Sequence, residues 1–494
     1  MLKNKKRMPF VWQANQAPRP LQERYVALLL ALAFAISLHG PIAVAADSPE
    51  VTDTAPKSTE VRLRKEATGP PGPTSYWPQI VGAQQTWIRQ FQSSLKSPYS
   101  GTNSLNPDGD VAATYTVGVY FGWAISSKLQ AYFDVEKFMG SGVSNAVGLA
   151  GLTNGDVVRE GAVGLKKRFY VARRYLRYMV PLSDTVTAVG RAQDQIAGAE
   201  AATRLDFKLG TVSLSDDFDK NRYANTTRTQ FMNWSLWNNA AWDFAADTRG
   251  FTNGFVAGYI SPRWSFKAGV FQMPAQANRQ DLDAPLTKAR GENYELTLAP
   301  KDIGTVARLL AYRNIARMGV YREALAVAAA AGATPDITTQ DRDGRKKYGF
   351  GVNIEQPLAD GGETGVFLRA AWNDGKTETF AFTEADRTLT FGGQIAGSHW
   401  GRAADRLAAT IALNGLSTDH RDYLAAGGAG FVLGDGKINY DTEQIFETYY
   451  RMQLYKYGAV SFQLSPDFQY IRNPGYNRDR GPVKVVSLRV HAEF

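Results

Sequence analysis

The chain has 494 residues, no cysteine, 44% hydrophobic residues and a formal charge of +9, with a mean hydropathy of −0.30. These values exclude a disulfide scaffold, thiolate metal sites and a bundle of apolar membrane helices. They also argue against a nucleic-acid partner: Lys3, Lys5, Lys6, Arg7, Arg19 and Arg24 against Glu23 put five of the nine excess charges in the first 46 residues, leaving +4 for the rest.

Residues 1–24 are basic, and residues 25–38 read YVALLLALAFAISL, an apolar run shorter than the roughly 20 residues of a spanning helix. Ala43, Val44, Ala45 and Ala46 follow. Basic, apolar, then A-x-A is the order of a Sec signal peptide, so residues 1–46 are expected to be cleaved after Ala45 or Ala46. The basic stretch is long, which makes Met8 an alternative start. Residues 47–79 read as a polar periplasmic linker, with Pro70, Pro71 and Pro73 near its end.

From Gly82 onward one pattern repeats: about ten residues with apolar side chains at every second position, then turn residues. In the last segment Val486, Leu488, Val490, Ala492 and Phe494 face one way, and Ser487, Arg489, His491 and Glu493 the other. Expected strands lie near 84–92, 113–123, 127–137, 167–179, 203–214, 250–260, 263–272, 291–300, 305–315, 346–356, 363–373, 388–398, 405–415, 443–454, 459–471 and 483–494. Short connections are expected at 261–262, 301–304, 359–362, 401–404 and 455–458, alternating with long ones. The stretch 181–202 is too long for the short-turn side, so it is either an insertion or a sign of a misplaced strand. Residues 324–333, ALAVAAAAGA, read as a small helix in a loop. The fold class is therefore all-β: residues 80–494 form a transmembrane antiparallel β-barrel of about sixteen strands, each chain enclosing its own aqueous lumen.

The longest outer connection, residues 215–250, is the third, and it is expected to fold into the lumen. It carries Asp216, Asp217, Asp219, Arg222 and Arg228 beside Trp234, Trp237 and Trp242. Carboxylates and guanidinia satisfy sugar hydroxyls while indoles stack on apolar C–H faces, so the loop suits a sugar constriction. The competing reading is that the indoles only pack the loop against the wall. Asp134 and Glu136 project inward on their strand; Arg173, Arg177, Arg369, Glu447 and Arg451 are expected to do likewise, either orienting solutes or forming a solvated wall.

Several stretches resemble the carbohydrate-selective porin family of Gram-negative outer membranes. They are PYSGTNSL (98–105), DDFDKNRYANTTRTQFMNWSLW (216–237), WDFAADTRG (242–250), RNIARMGVYREA (313–324), WNDGKTETFAFTEADR (372–387), HRDYLAAGGAGFVLGDGKINYDTEQIFETYY (420–450) and NPGYNRDRGPV (473–483). The resemblance runs from about residue 80 to Phe494 and leaves out 181–202. It implies a sixteen-stranded outer-membrane porin through which glucose and similar small sugars diffuse passively, as a monomer or trimer, without cofactor or metal. The terminal Phe494 resembles the signal read by the barrel-insertion machinery, and the outer face would meet membrane lipid.

Rival readings are a general non-selective porin, an anion-selective one, and a soluble sugar-binding β-protein. Mixed charge signs argue against the anion-selective form. An energised transporter would need roughly twenty-two strands. Hydrolysis is disfavoured, because no GxSxG or HExxH string occurs around His39, His399, His420 or His491. The string Gly434-Asp435-Gly436-Lys437 lacks calcium-loop spacing and reads as a turn.

Overall fold

Alternation along the last strand turns the molecule inside out. Val486 is 53% exposed, whereas Ser487, Arg489 and His491 on the opposite face are nearly inaccessible. In the computed structural model, which describes residues 77–156, 168–300 and 304–494, the same reversal holds around a closed ring. The expected signal peptide 1–46, most of the expected linker 47–79 and most of the expected turn 301–304 lie outside the described residues.

In chain order the strands are β1 (Ile80–Gln92), β2 (Asp110–Ala124), β3 (Leu129–Gly140), β4 (Tyr170–Pro181), β5 (Val186–Val189), β6 (Gly198–Ala201), β7 (Arg204–Val212), β8 (Thr252–Ile260), β9 (Trp264–Phe271), β10 (Arg290–Leu298), β11 (Val306–Met318), β12 (Arg342–Ala359), β13 (Thr364–Asn373), β14 (Arg387–Ala396), β15 (Arg406–Gly415), β16 (Glu443–Tyr457), β17 (Val460–Arg472) and β18 (Val483–Glu493). All but β5 and β6 join one antiparallel barrel, closed by β1 pairing with β18 in the register Gln84↔Glu493 to Gln92↔Val485. Sixteen strands satisfy their backbone groups with no free edge, which is what lipid demands of a spanning sheet. Among the described residues no helix is long and apolar enough to cross a membrane.

The outer face carries the apolar residues that the alternation expects. Leu209, Phe350, Phe391 and Ile411 are all more than half exposed. Aromatic groups cluster on it near both strand ends: Phe350 stacks on Trp372 beside Tyr348, and Tyr259 stacks on Trp264 at the other end. Such belts sit at the two membrane–water interfaces.

Connections alternate in length as expected. Those of 125–128, 261–263, 360–363, 397–405 and 458–459 lie at one end, and 213–251, 319–341 and 416–442 at the other. Short turns are periplasmic and long loops external in such barrels. The stretch 182–203 at the short-turn end is an insertion: β5 and β6 pair there as a separate hairpin, Val186↔Ala201 to Val189↔Gly198. No barrel strand was misplaced by it.

Long external loops carry α1 (Trp234–Trp237), α2 (Tyr321–Ala331) and α3 (Thr418–Ala425). The apolar run 324–333 falls in α2, which stops at Gly332 with φ of +59°, a left-handed turn that glycine adopts without strain. Buried carboxylates knit these loops together. Asp243 accepts the N–H groups of Phe380 and Ala381, both at 2.8 Å, and Glu384 accepts those of Phe431, Val432 and Leu433. Irregular backbone away from water needs such partners.

Candidate functional site

After β7 the chain does not return over the rim; residues 213–251 enter the lumen. Inward side chains of the wall hold that loop by its backbone. Arg369 on β13 is fully buried and donates to the carbonyls of Asp219 (2.9 Å), Ala224 (2.8 Å) and Leu236 (3.1 Å). Glu447 on β16 accepts the N–H groups of Met232 and Asn233. Arg489 on β18 donates to the carbonyls of Thr227 and Gln230, and Arg451 to that of Thr229 at 3.2 Å. Within the loop, Asp219 accepts Asn239 N–H at 2.7 Å and Asn353 Nδ2 at 2.7 Å and pairs with Arg369 at 3.2 Å. Arg222 reaches the periplasmic end, where its guanidinium donates to the Gly362 carbonyl at 3.2 Å.

These contacts hold the loop's backbone against β12, β13, β16 and β18. Among the described residues, two chambers lie on the side of β1, β3, β4 and β7 to β9. An outer one of about 380 Å³ is walled by Phe138, Trp234, Trp237, Phe251, Phe382 and the Glu136–Arg228 pair. An inner one of about 610 Å³ lies against Arg177, Lys208, Asp217 and Lys267. Both are bordered by Arg173, Gln193 and Asp216, which mark the constriction between them.

The constriction is a closed ion-pair network. Arg173 meets Asp216 through two hydrogen bonds, Nε at 2.7 Å and Nη2 at 2.9 Å, and reaches Asp134 at 3.4 Å. A register shift beside Asp134 lets Arg173 face inward next to buried Ala172. Above it, Arg228 bridges Asp156 at 3.0 Å and Glu136 at 3.0 Å. Below it, Asp217 sits between Lys208 at 2.9 Å and Lys267 at 3.3 Å. Burial opposes ionisation of Asp216, but Arg173 outweighs it and holds the carboxyl below the usual range. Asp217 is held down in the same way by Lys208 and Lys267 against burial. Asp247, at the rim of the outer chamber, goes the other way: burial lifts it to about 6 against the N–H groups of Phe251 and Arg249. Deeper still, Arg177 joins Glu200 at 2.5 Å and Asp206 at 2.5 Å.

The two tryptophans of α1 share Phe382: Trp234 stacks on it at 5.6 Å and Trp237 meets it edge-on at 5.4 Å. Among the described residues neither indole N–H has a protein acceptor, although both are buried and the rings border the outer chamber. Gly155 lies against both rings, and a Cβ there would stand 2.7 Å from the Trp237 nitrogen. That residue must be glycine for the indoles to keep their place.

The structure thus divides the residues singled out in the sequence. Glu136, Arg173, Arg177, Asp217, Arg228, Trp234 and Trp237 border the chambers. Asp134 stands directly behind Arg173. Asp219, Arg222, Arg369, Glu447 and Arg451 border neither chamber; they fasten the loop, because its buried backbone takes up their donors and acceptors. Sequence reasoning left out Phe382, which arrives from the loop after β13, and Gln193, which lies in the insertion. Asp216, named in the loop beside Asp217, borders both chambers.

The sequence matches the model of the family described as "Carbohydrate-selective porin, OprB family" over residues 102–494. Among solved structures, the high-pH form of Pseudomonas putida OprB is similar with a TM-score of 0.59 at 14% identity, over 84% of this chain and 94% of that one. An anion-selective porin from Comamonas acidovorans aligns at a TM-score of 0.43 and 10% identity, over 84% of this chain and 99% of that one. No curated protein matches the sequence.

Proposed function

The chain belongs to the OprB family of carbohydrate-selective porins, and from that membership we propose that its lumen passes small neutral sugars such as glucose by passive diffusion. It is an integral outer-membrane β-barrel, and its family and fold are those of a channel rather than an enzyme.

One observation carries the preference for sugars. The outer chamber sets indole and phenyl faces beside carboxylate–guanidinium pairs. A pyranose offers the complement: apolar C–H faces for the rings, and hydroxyls that exchange bonds with the ion pairs. Arg173, Arg228 and Asp217 each have an opposite charge within 3.3 Å, so none of these three groups stands unpaired before a simple ion.

The test is swelling of liposomes containing the protein in isotonic glucose, disaccharide and charged solutes, together with sugar block of ion current in planar bilayers. Fast glucose entry and a saturable block are expected. Replacing both Trp234 and Trp237 with Ala should weaken the block by about tenfold or more, the scale of losing roughly 1.4 kcal/mol of contact. Equal permeation of every solute with no saturation would reduce the protein to a general porin.

A further inference from the structure

The periplasmic insertion lies against the inner chamber, on the side of the lumen away from the backbone ties of loop 213–251. Its tip does not hang in the periplasm. Gln193 donates to Asp134 at 2.8 Å and accepts from Gln84 at 3.0 Å. Asp194 pairs with Arg173 at 3.3 Å. The Ile196 N–H donates to the Tyr132 hydroxyl at 3.4 Å, and its side chain packs on the buried cluster of the wall. Further down, Glu200 closes on Arg177 and on Arg204 at 2.7 Å, and Arg191 donates to the Val81 carbonyl at 3.0 Å. The hairpin therefore touches β1, β3 and β4, and its tip supplies part of the wall where the outer and inner chambers meet.

We propose that this hairpin is a second selectivity element in series with the external loop: Gln193 and Asp194 complete the constriction, and the hairpin body narrows the periplasmic exit. The proposal rests on the carbohydrate reading and specifies its ligand further, as a neutral hydroxylated ring of monosaccharide or disaccharide width. Two observations carry it. First, the inner chamber is enclosed on one side by Thr187, Ala188 and Val189 of β5, so removing them opens it to the periplasm. Second, Gln193 borders both chambers and Asp194 the inner one beside Arg173, which places an amide and a carboxylate from the hairpin tip in the path of a passing hydroxyl. The remaining ties to the wall are polar apart from Ile196, so the hairpin contributes shape and hydrogen-bonding groups without being needed to close the barrel, whose ladder runs directly from β4 to β7.

The test uses the full chain with residues 186–201 replaced by Asn-Gly, which keeps the Leu182 N–H to Thr203 carbonyl bond at the hairpin base. Heat-modifiable gel mobility identifies the folded fraction. Single-channel conductance should rise at least twofold, and liposomes should admit trisaccharides that the unaltered protein excludes. Unchanged conductance and an unchanged size limit would overturn the proposal. A second pair of variants decides the matter if the shortened chain does not fold. Because the chain has no cysteine, Gln193→Cys carries a unique thiol, and a bulky thiol reagent should cut the current by more than half; full current after complete labelling would overturn the assignment. Gln193→Ala with Asp194→Ala should weaken glucose block at least threefold with conductance changed by less than half, and an unaltered block would count against the tip. If the unaltered protein shows no sugar block at all, the carbohydrate reading fails while the conductance and labelling results still judge the hairpin as a constriction.

Discussion

Trp234 and Trp237 hold their indoles by packing on Phe382, although among the described residues neither buried N–H has an acceptor, at a cost of roughly 1–3 kcal/mol each. Gly155 sets how close they stand. Gly155→Ala is expected to push both rings off Phe382 and lower glucose block several-fold while leaving the barrel folded, checked by bilayer recordings beside circular dichroism. Asp247 gives the outer chamber a pH response. Its carboxyl is raised to about 6 by burial, so the fold favours the neutral form; the associated stability is complete below the ordinary carboxylate range and declines as pH rises through 6. Arg173, Arg228 and Arg249 face the same chamber, as do Glu136, Asp156, Asp216, His491 and Glu493. Raising pH from 5 to 7 therefore adds one negative charge there, and the reversal potential in a KCl gradient should move toward cation preference. Asp247→Asn should flatten that part of the profile; an identical pH dependence in the variant would assign the titration elsewhere.

At the scale of elements, the loop of 213–251 behaves as a plug whose backbone is fastened to β12, β13, β16 and β18 while its charged side chains pair with β3, β4, β7 and β9. Its ties are charged groups spent on backbone, and Arg369 with Asp219 is the most enclosed of them, both being almost wholly buried. Removing one partner of such a pair strands the other charge, at a cost of about 3–5 kcal/mol. Arg369→Met should leave the ladder intact, loosen the loop, and give noisier currents with faster tryptic cleavage inside 213–251. These ties also explain what the sequence could not convey. Alternation marks Arg369, Glu447 and Arg451 as inward-facing, which is how the strands place them, but period two carries no information on whether an inward side chain meets water or a loop. The same limit hid Phe382 and Gln193, whose positions depend on how separate connections meet in space. The hairpin was visible only as excess length at 181–202. Its four-residue strands are too short for alternation to register, and both are largely exposed on their outer faces. By contrast the sixteen wall strands were legible, because each must present one face to lipid and the other to the lumen, and that demand writes itself into every second residue.

At the scale of the molecule, the ring is closed by the two strands farthest apart in sequence. Until β1 meets β18, both expose unpaired edges, a state prone to wrong pairing. The terminal residue takes part in closure through its backbone: Phe494 N–H donates to the Ala83 carbonyl at 3.0 Å, and its own carbonyl accepts from the Tyr120 hydroxyl at 3.0 Å. Gly82 makes room, since a Cβ there would stand 2.7 Å from that carbonyl and run into the Tyr120 ring. The aromatic side chain is not needed for any of these bonds and remains more than one-third exposed on the outer face. Closure and the expected recognition of Phe494 by the insertion machinery therefore separate experimentally. Phe494→Ala keeps the backbone bonds, so the folded fraction should resist heat in detergent as the unaltered protein does, while the amount inserted into outer membranes of growing cells drops several-fold. Gly82→Val disturbs the seam instead, and should lower the temperature at which the folded band is lost on gels. A fall in heat resistance for Phe494→Ala with undiminished insertion would mean that the ring serves the seam and not the machinery.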